Sequence, residues 1–109
     1  MELNFYQNEA ARTAIYPIDK GLDYLLCSLG EELGEFLSIF AKAARKGRAQ
    51  QLTPAEKKAA AYELGDLLWN VALTARELGL PLEVIAAMNL NKVNSRKERG
   101  VIEGEGDYR

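Results

Sequence analysis

The sequence predicts an all-α fold, a four-helix, bundle-like arrangement with a short first helix and a glycine-rich C-terminal loop. Three observations carry this expectation. Apolar residues recur at steps of three and four through the long stretches on either side of residue 50, the spacing that lines one face of a helix. Glycine, proline and capping residues divide the chain where that spacing breaks. No run alternates apolar and polar residues as a half-buried strand does, and there is no internal repeat or low-complexity segment.

Taken in order, the first helix is expected over residues 4–14, with Asn4 as its cap and Phe5, Ala10 and Ala14 available to pack. Tyr16-Pro17 ends it, because the residue before a proline is pushed out of the helical region. Asp19 is placed to cap the second helix, which continues to about residue 46. Its core stripe is Leu22, Leu26, Leu29, Leu33, Leu37 and Phe40, with the acids on the other side of the cylinder. Residues 46–52 break the pattern, and Gly47 suits the left-handed position after a helix. Thr53 is a good N-cap, Pro54 fits the first helical position and Glu56 completes a capping box. The third helix, over residues 54–78, is expected to bury Ala60, Leu64, Leu67, Val71 and Leu78. Gly79 stops it and Pro81 starts the fourth, which runs to residue 99 and ends at Gly100. Residues 101–109, with Gly104 and Gly106 among charges, read as loop.

The chain is expected to be one domain over residues 1–109, with a modest core. Helices this apolar in so short a chain leave patches that need cover, so a homodimer or homotetramer is expected. The net charge of −2 argues against a general nucleic-acid binder. No apolar run approaches a membrane span, and the N-terminus lacks a signal peptide's basic start and apolar core. The single Cys27 allows no disulfide within the chain and reads as a packed thiol in a reducing compartment. A cytoplasmic, soluble protein is therefore expected. Histidine is absent, which excludes His-based acid/base chemistry, His-containing zinc sites and di-iron bundles built on Glu-x-x-His.

The chemistry concentrates in two acidic stretches. Glu32 and Glu35 sit three apart on the second helix, as do Glu63 and Asp66 on the third. That step puts each pair on one face, roughly 5–6 Å apart at Cβ. No cation lies one turn away from any of them: Glu31 is followed four residues on by Glu35, Glu32 by Phe36, Glu63 by Leu67 and Asp66 by Asn70. A short loop between the helices makes them antiparallel neighbours. Folding about its centre pairs residues whose numbers sum to about 98–100 in a tight helical hairpin. Glu35 then lies level with Glu63, and Glu32 with Asp66. Four uncompensated carboxylates facing one another across a helix pair repel strongly. A hard divalent cation with oxygen ligands resolves this, with Mg²⁺ the first choice and Mn²⁺ a substitute. The plain alternative is a solvated acidic face. Gly30, Gly34 and Gly65 interrupt the same helices, each costing up to about 1 kcal/mol against alanine. They mark either close helix contact or room for a metal and its waters.

On the fourth helix, Ile85 and Met88 share a face with Asn89, Lys92, Arg96 and Arg99. Cations near a helix C-terminus favour the macrodipole. That accounts for Arg96 and Arg99 but not for Asn89 and Lys92, whereas phosphate oxygens would engage all four. Neither Lys92 nor Arg96 is read as a core residue, and Lys97 lies off the face. Asn70, one turn after Asp66, offers a hydrogen bond behind the acids or a substrate contact. Tyr6, Tyr16, Tyr24, Tyr62 and Trp69 are candidates to stack on a base or to pack.

Glu31-Glu32-x-x-Glu35 followed by Glu63-x-x-Asp66 resembles the signature of the MazG-type, all-α nucleoside triphosphate pyrophosphohydrolases. The tail, Asn89-x-x-Lys92-x-x-x-Arg96-x-x-Arg99-Gly100 through Gly104-x-Gly106-Asp107-x-Arg109, is similar to the small single-domain members of that family. The similarity runs from about residue 22 to the C-terminus. It implies Mg²⁺-dependent hydrolysis of a nucleoside triphosphate to the monophosphate and pyrophosphate, clearing non-standard or surplus nucleotides. Glu32, Glu35, Glu63 and Asp66 would be ligands, and Glu31 or Glu35 would take the proton from the attacking water. Asn89, Lys92, Arg96 and Arg99 would meet phosphate, with Arg109 on a closing loop. Hydrolysis specific for dUTP or dCTP, or for phosphoribosyl-ATP, is a near alternative. A non-enzymatic helical module with a structural metal is the alternative of a different class.

Overall fold

The computed structural model describes residues 1–109, and it is all helical. The elements are α1 (Leu3–Ala11), a 3-10 turn (Ile18–Lys20), α2 (Gly21–Arg45), α3 (Pro54–Glu77) and α4 (Leu82–Glu98). α2 and α3 form the main packed pair; α1 lies on α3 and α4, and α4 makes no contact with α2. No helix is long and apolar enough to cross a membrane.

The connection between α2 and α3 follows local rules. Gly47 takes φ 76°, the left-handed position that lacks a Cβ penalty. The Thr53 hydroxyl accepts from the Glu56 N–H at 3.2 Å, and the Glu56 carboxylate accepts from the Thr53 N–H at 2.8 Å. Arg48 completes the corner as a fork, donating to both Glu56 oxygens at 2.6 and 3.0 Å. These bonds, Arg48 first and the Thr53 backbone second, push the Glu56 carboxyl down to about 2.

The ends of α1 and α4 depart from expectation. α1 stops at Ala11 rather than Ala14, as the Thr13 hydroxyl donates to the Ala10 carbonyl at 2.7 Å and draws the chain into a turn. Asn4 does not cap α1; its Oδ1 accepts from the Glu83 N–H at 3.0 Å, so it caps α4 from outside. Gln7, also on α1, is buried. Its Nε2 donates to the carbonyls of Ala72 and Leu80, and its Oε1 accepts from the Leu82 N–H at 3.0 Å. Pro81 has no side-chain acceptor, so the first N–H groups of α4 are met by α1 instead. Asp19 does not cap α2 either. It lies in the 3-10 turn, and the chain enters α2 at Gly21, where a Cβ would come within 2.6 Å of the Tyr16 ring.

The larger correction concerns the core. Leu22, Leu26, Leu33 and Leu37, expected inside, are exposed, as are Leu64 and Val71 on α3, Leu78 just past its end, Phe5 on α1 and the Cys27 thiol. The buried residues of α2 are Gly21, Leu25, Ser28 and Ala43; those of α3 are Ala60, Asn70, Ala72, Leu73 and Ala75. α2 presents its acidic, small-residue side to α3 and its leucine stripe outward. The compact centre is Ala10, Leu25 and Leu73, edged by Tyr6, Ala11, Ala14, Tyr16 and Trp69. Only 13 of the 109 residues are buried, so one chain leaves most of its apolar surface uncovered. The radius of gyration, 16.9 Å, exceeds the roughly 13 Å of a compact domain this long.

Candidate metal centre and phosphate-binding face

The turn of α2 over α3 that sends the leucines outward brings the acids together. Glu32, Glu63 and Asp66 each offer a carboxylate oxygen, and these three atoms lie within 4.8 Å of one another. Glu35 stands beside Glu63, close enough for the two carboxyl groups to share a hydrogen bond, and Asp66 acts on Glu32. Both pairings follow the antiparallel register. The chain's four ion pairs, Arg12–Glu9, Arg48–Glu56, Lys92–Asp107 and Arg96–Asp107, all lie elsewhere. Oε2 of Glu32 and Oε2 of Glu63 are buried and have no hydrogen-bond partner.

The electrostatic consequence is large. Burial, then the charges of Asp66, Glu35, Glu63 and Glu31 in that order, push the Glu32 carboxyl up to about 7. Burial also raises Glu63, and Glu35 raises it further. Unpaired buried acceptors, like charges in contact and an all-oxygen donor set fit a hard divalent cation. The residues present are therefore suited to the metal that the acidic spacing implies.

Glu31 is exposed and lies at the mouth of an open cleft of about 450 Å³, with Gly34, Glu35, Ser38, Ile39, Lys42, Ala59 and Glu63. Lys42 was not legible from one-turn spacing; it sits seven residues after Glu35, two turns along the same face. Space beside the helix backbone is open at Gly30, Gly34 and Gly65, where a Cβ would meet nothing within 4 Å. Close packing within one chain does not explain these glycines. Asn70 lies under the acids, buried, its Nδ2 donating to the Asp66 carbonyl at 2.9 Å and its Oδ1 unpartnered. α1 adds Tyr6, whose phenol is pushed up by burial and by the Asp66 charge. Tyr16 and Tyr24 stack at 5.3 Å and share a second cleft with Trp69, while Tyr62 is exposed.

The basic set has a different setting. Asn89 and Lys92 line a shallow cleft of about 260 Å³ with Ile85 and Met88. Arg96, read from sequence as lying off the core, is buried. Its Nη2 donates to the Gly106 carbonyl and to Asp107 Oδ1, both at 3.2 Å, and Lys92 Nζ reaches the same Oδ1 at 3.2 Å. Arg99 bonds Ser95 Oγ and the main-chain oxygen of Arg109. Arg109 is turned into the loop rather than toward a ligand, donating to the carbonyls of Val101, Gly106 and Ile102 at 2.6–2.8 Å. Because α4 does not touch α2, one chain does not set these cations against Glu32 and Glu35.

At Glu32 the folded protein holds a proton up to about pH 7 that the unfolded chain releases near its ordinary 4.5. The resulting stability is fully present below the unfolded value and is lost as pH rises through the folded one. In EDTA the melting temperature should therefore fall by several degrees between pH 5 and pH 8, and Glu32→Gln should flatten that slope. Glu56, depressed to about 2, contributes stability that is already fully present across this window and is lost only as pH falls through the acid range, so it adds no slope here. A level parent profile, or a Glu32→Gln profile as steep as the parent's, would contradict the cluster's electrostatics.

A family model described as "MazG nucleotide pyrophosphohydrolase domain" matches residues 20–101. "Gene 37 protein" of Mycobacterium phage L5 is 38% identical over an alignment of 115 positions that covers 100% of both chains. No solved structure matches the chain. The family match takes in the whole of α2, α3 and α4, with the five acids and the basic residues of α4. The chain belongs to the MazG nucleotide pyrophosphohydrolase family.

Proposed function

We propose that this protein hydrolyses nucleoside triphosphates to the monophosphate and pyrophosphate, as a nucleotide-pool house-cleaning enzyme. The observation that carries the proposal is the carboxylate cluster itself, three donors within 4.8 Å with two buried, unpartnered oxygens and no ion pair to any cation of the chain. Glu32, Glu35, Glu63 and Asp66 are the residues that would hold Mg²⁺, or Mn²⁺ in its place. Bound there, the metal supplies neutralisation of phosphate charge and acidification of a water. Glu31 or Glu35 accepts the proton; both line the open cleft, and Glu31 is free of the three-carboxylate group. Asn70 braces Asp66 from below. Asn89, Lys92 and Arg96 meet the phosphates, while Arg99 and Arg109 act through the shape of the tail.

The test is pyrophosphate release from a panel of nucleotides, including dUTP, dCTP and phosphoribosyl-ATP, with Mg²⁺ and with EDTA. Release should require the metal. Lys92→Ala should lower turnover about a hundredfold to a thousandfold, the scale of losing one charge-stabilising donor, and Lys97→Ala should be nearly silent. No release from any nucleotide by a folded protein would sink the enzyme reading and leave a helical module with a structural metal. Equal loss at Lys97 and Lys92 would mean that the face of α4 is wrongly assigned.

The exposed leucines of α2, together with Leu64, Leu68 and Val71 on α3, support a homodimer or homotetramer built on this face. Sedimentation at micromolar concentration should show a dimer or tetramer, and Leu33→Glu should shift it toward monomer. A parent that sediments as a monomer would refute the assembly.

A further inference from the structure

The C-terminal loop places a carboxylate where the proposed phosphate-binding cations converge. Asp107 Oδ1 alone takes the bonds from Lys92 Nζ and Arg96 Nη2, each at 3.2 Å. Charge-assisted N–H···O bonds are usually about 2.7–2.9 Å, so one shared oxygen serves both donors loosely. Charge is also unmatched, since two cations face one anion. The asymmetry of burial is sharp: the Arg96 side chain is 8% exposed and that of Asp107 is 75% exposed. Arg96 Nε is buried without a partner. The site is therefore built firmly on the α4 side and only lightly closed on the other.

We propose that Lys92 and Arg96 form an anion site whose resident anion is the chain's own Asp107, and that the triphosphate tail of a nucleotide displaces it. This rests on the reading of α4 as the phosphate-binding face. A phosphoryl group carries several acceptor oxygens and more than one negative charge, so it offers each cation its own oxygen where Asp107 serves both with one. The exchange needs no unfolding of the loop. Arg109 ties the loop through the carbonyls of Val101, Ile102 and Gly106, bonds in which Asp107 takes no part. Gly106, at φ 80°, precedes Asp107, and the exposed carboxylate can leave by rotating about its own side-chain bonds. Hydrogen bonds from Lys92 and then Arg96 hold the Asp107 carboxyl below its usual range, so it remains the competing anion throughout the neutral region.

The test is calorimetric titration of pyrophosphate into the whole protein in EDTA, where the acid cluster holds no metal and cannot contribute. Asp107→Asn should bind pyrophosphate about threefold to fivefold tighter than the parent, the scale of removing one exposed ion-pair partner. The difference should shrink as salt is raised, and Lys92→Ala should bind more weakly than either. A parallel titration with a nucleoside triphosphate separates the sources: tighter binding than pyrophosphate assigns the site to the nucleotide tail, and weaker binding overturns that assignment. In the parent, pyrophosphate should move the amide NMR signals of Gly106 and Asp107. Asp107→Asn binding no tighter than the parent, with a lower melting temperature, would make Asp107 a structural clasp and overturn the proposal. So would the absence of pyrophosphate binding by any of the three proteins. Turnover with Mg²⁺ is scored separately. An inactive parent with the Asp107→Asn effect intact sinks the enzyme reading alone, and an active parent without the effect sinks this inference alone.

Discussion

Repulsion among carboxylates held in the seam of a helix pair is the constraint to which the rest of this molecule answers. A seam between two long helices ordinarily buries leucines, because apolar burial is the main favourable term in packing. Here the seam carries Glu32, Glu63 and Asp66 with Ser28, Asn70, Ala43 and Ala60, and the leucines of α2 face away from it. Buried acids without cations are unfavourable unless something external meets their charge. The protein so arranged has a small core, an exposed apolar stripe and a concentrated negative charge. Each feature follows from the orientation of α2 on α3.

α1 joins the hairpin through the small core, where Ala10 packs on Leu25 and Leu73, and polar bonds add to this. Gln7 and Asn4 supply caps and carbonyl contacts that join α1 to α3 and α4. The tail is fixed in a similar way, by guanidinium groups in carbonyl-rich turns rather than by apolar packing. A scaffold held by such specific bonds can keep side chains in place around a site while leaving space beside the helices, as at Gly34 and Gly65.

Local signals are legible in the sequence because they act locally. The Thr53-Pro54-Ala55-Glu56 box, Gly47 at positive φ, the helix count and the pairing of Glu32 with Asp66 and Glu35 with Glu63 all depend on residues near in sequence or on a simple hairpin register. What the sequence does not show depends on partners distant in the chain. Asn4 and Asp19 look like caps, but a 3-10 turn intervenes before α2 and α4 takes Asn4. The stripe from Leu22 to Phe40 is helical by period, yet period says only that one face is apolar and not what covers it. Arg96 looks like a surface cation and is buried because residues 106 and 107 fold back over it. Lys42 is not visible at one-turn spacing because it lies two turns from Glu35. The influence of Asp66 on Tyr6, a residue the sequence marks only as a stacking or packing candidate, depends on contact between helices.

The central claim is that the acids are a metal site and not a charged surface, and Asp66→Asn tests it most directly. The substitution keeps shape while removing one charge from the cluster and one anionic ligand. The measurement is a melting curve of parent and variant with EDTA and with Mg²⁺, beside turnover of a nucleotide the parent cleaves. The variant should be at least as stable as the parent in EDTA, because one source of repulsion is gone. It should lose most of the Mg²⁺-induced rise in melting temperature, since a ligand that binds only the native state stabilises it by mass action. Its turnover should fall by orders of magnitude. Equal Mg²⁺ shifts and equal rates in the two proteins would contradict the account.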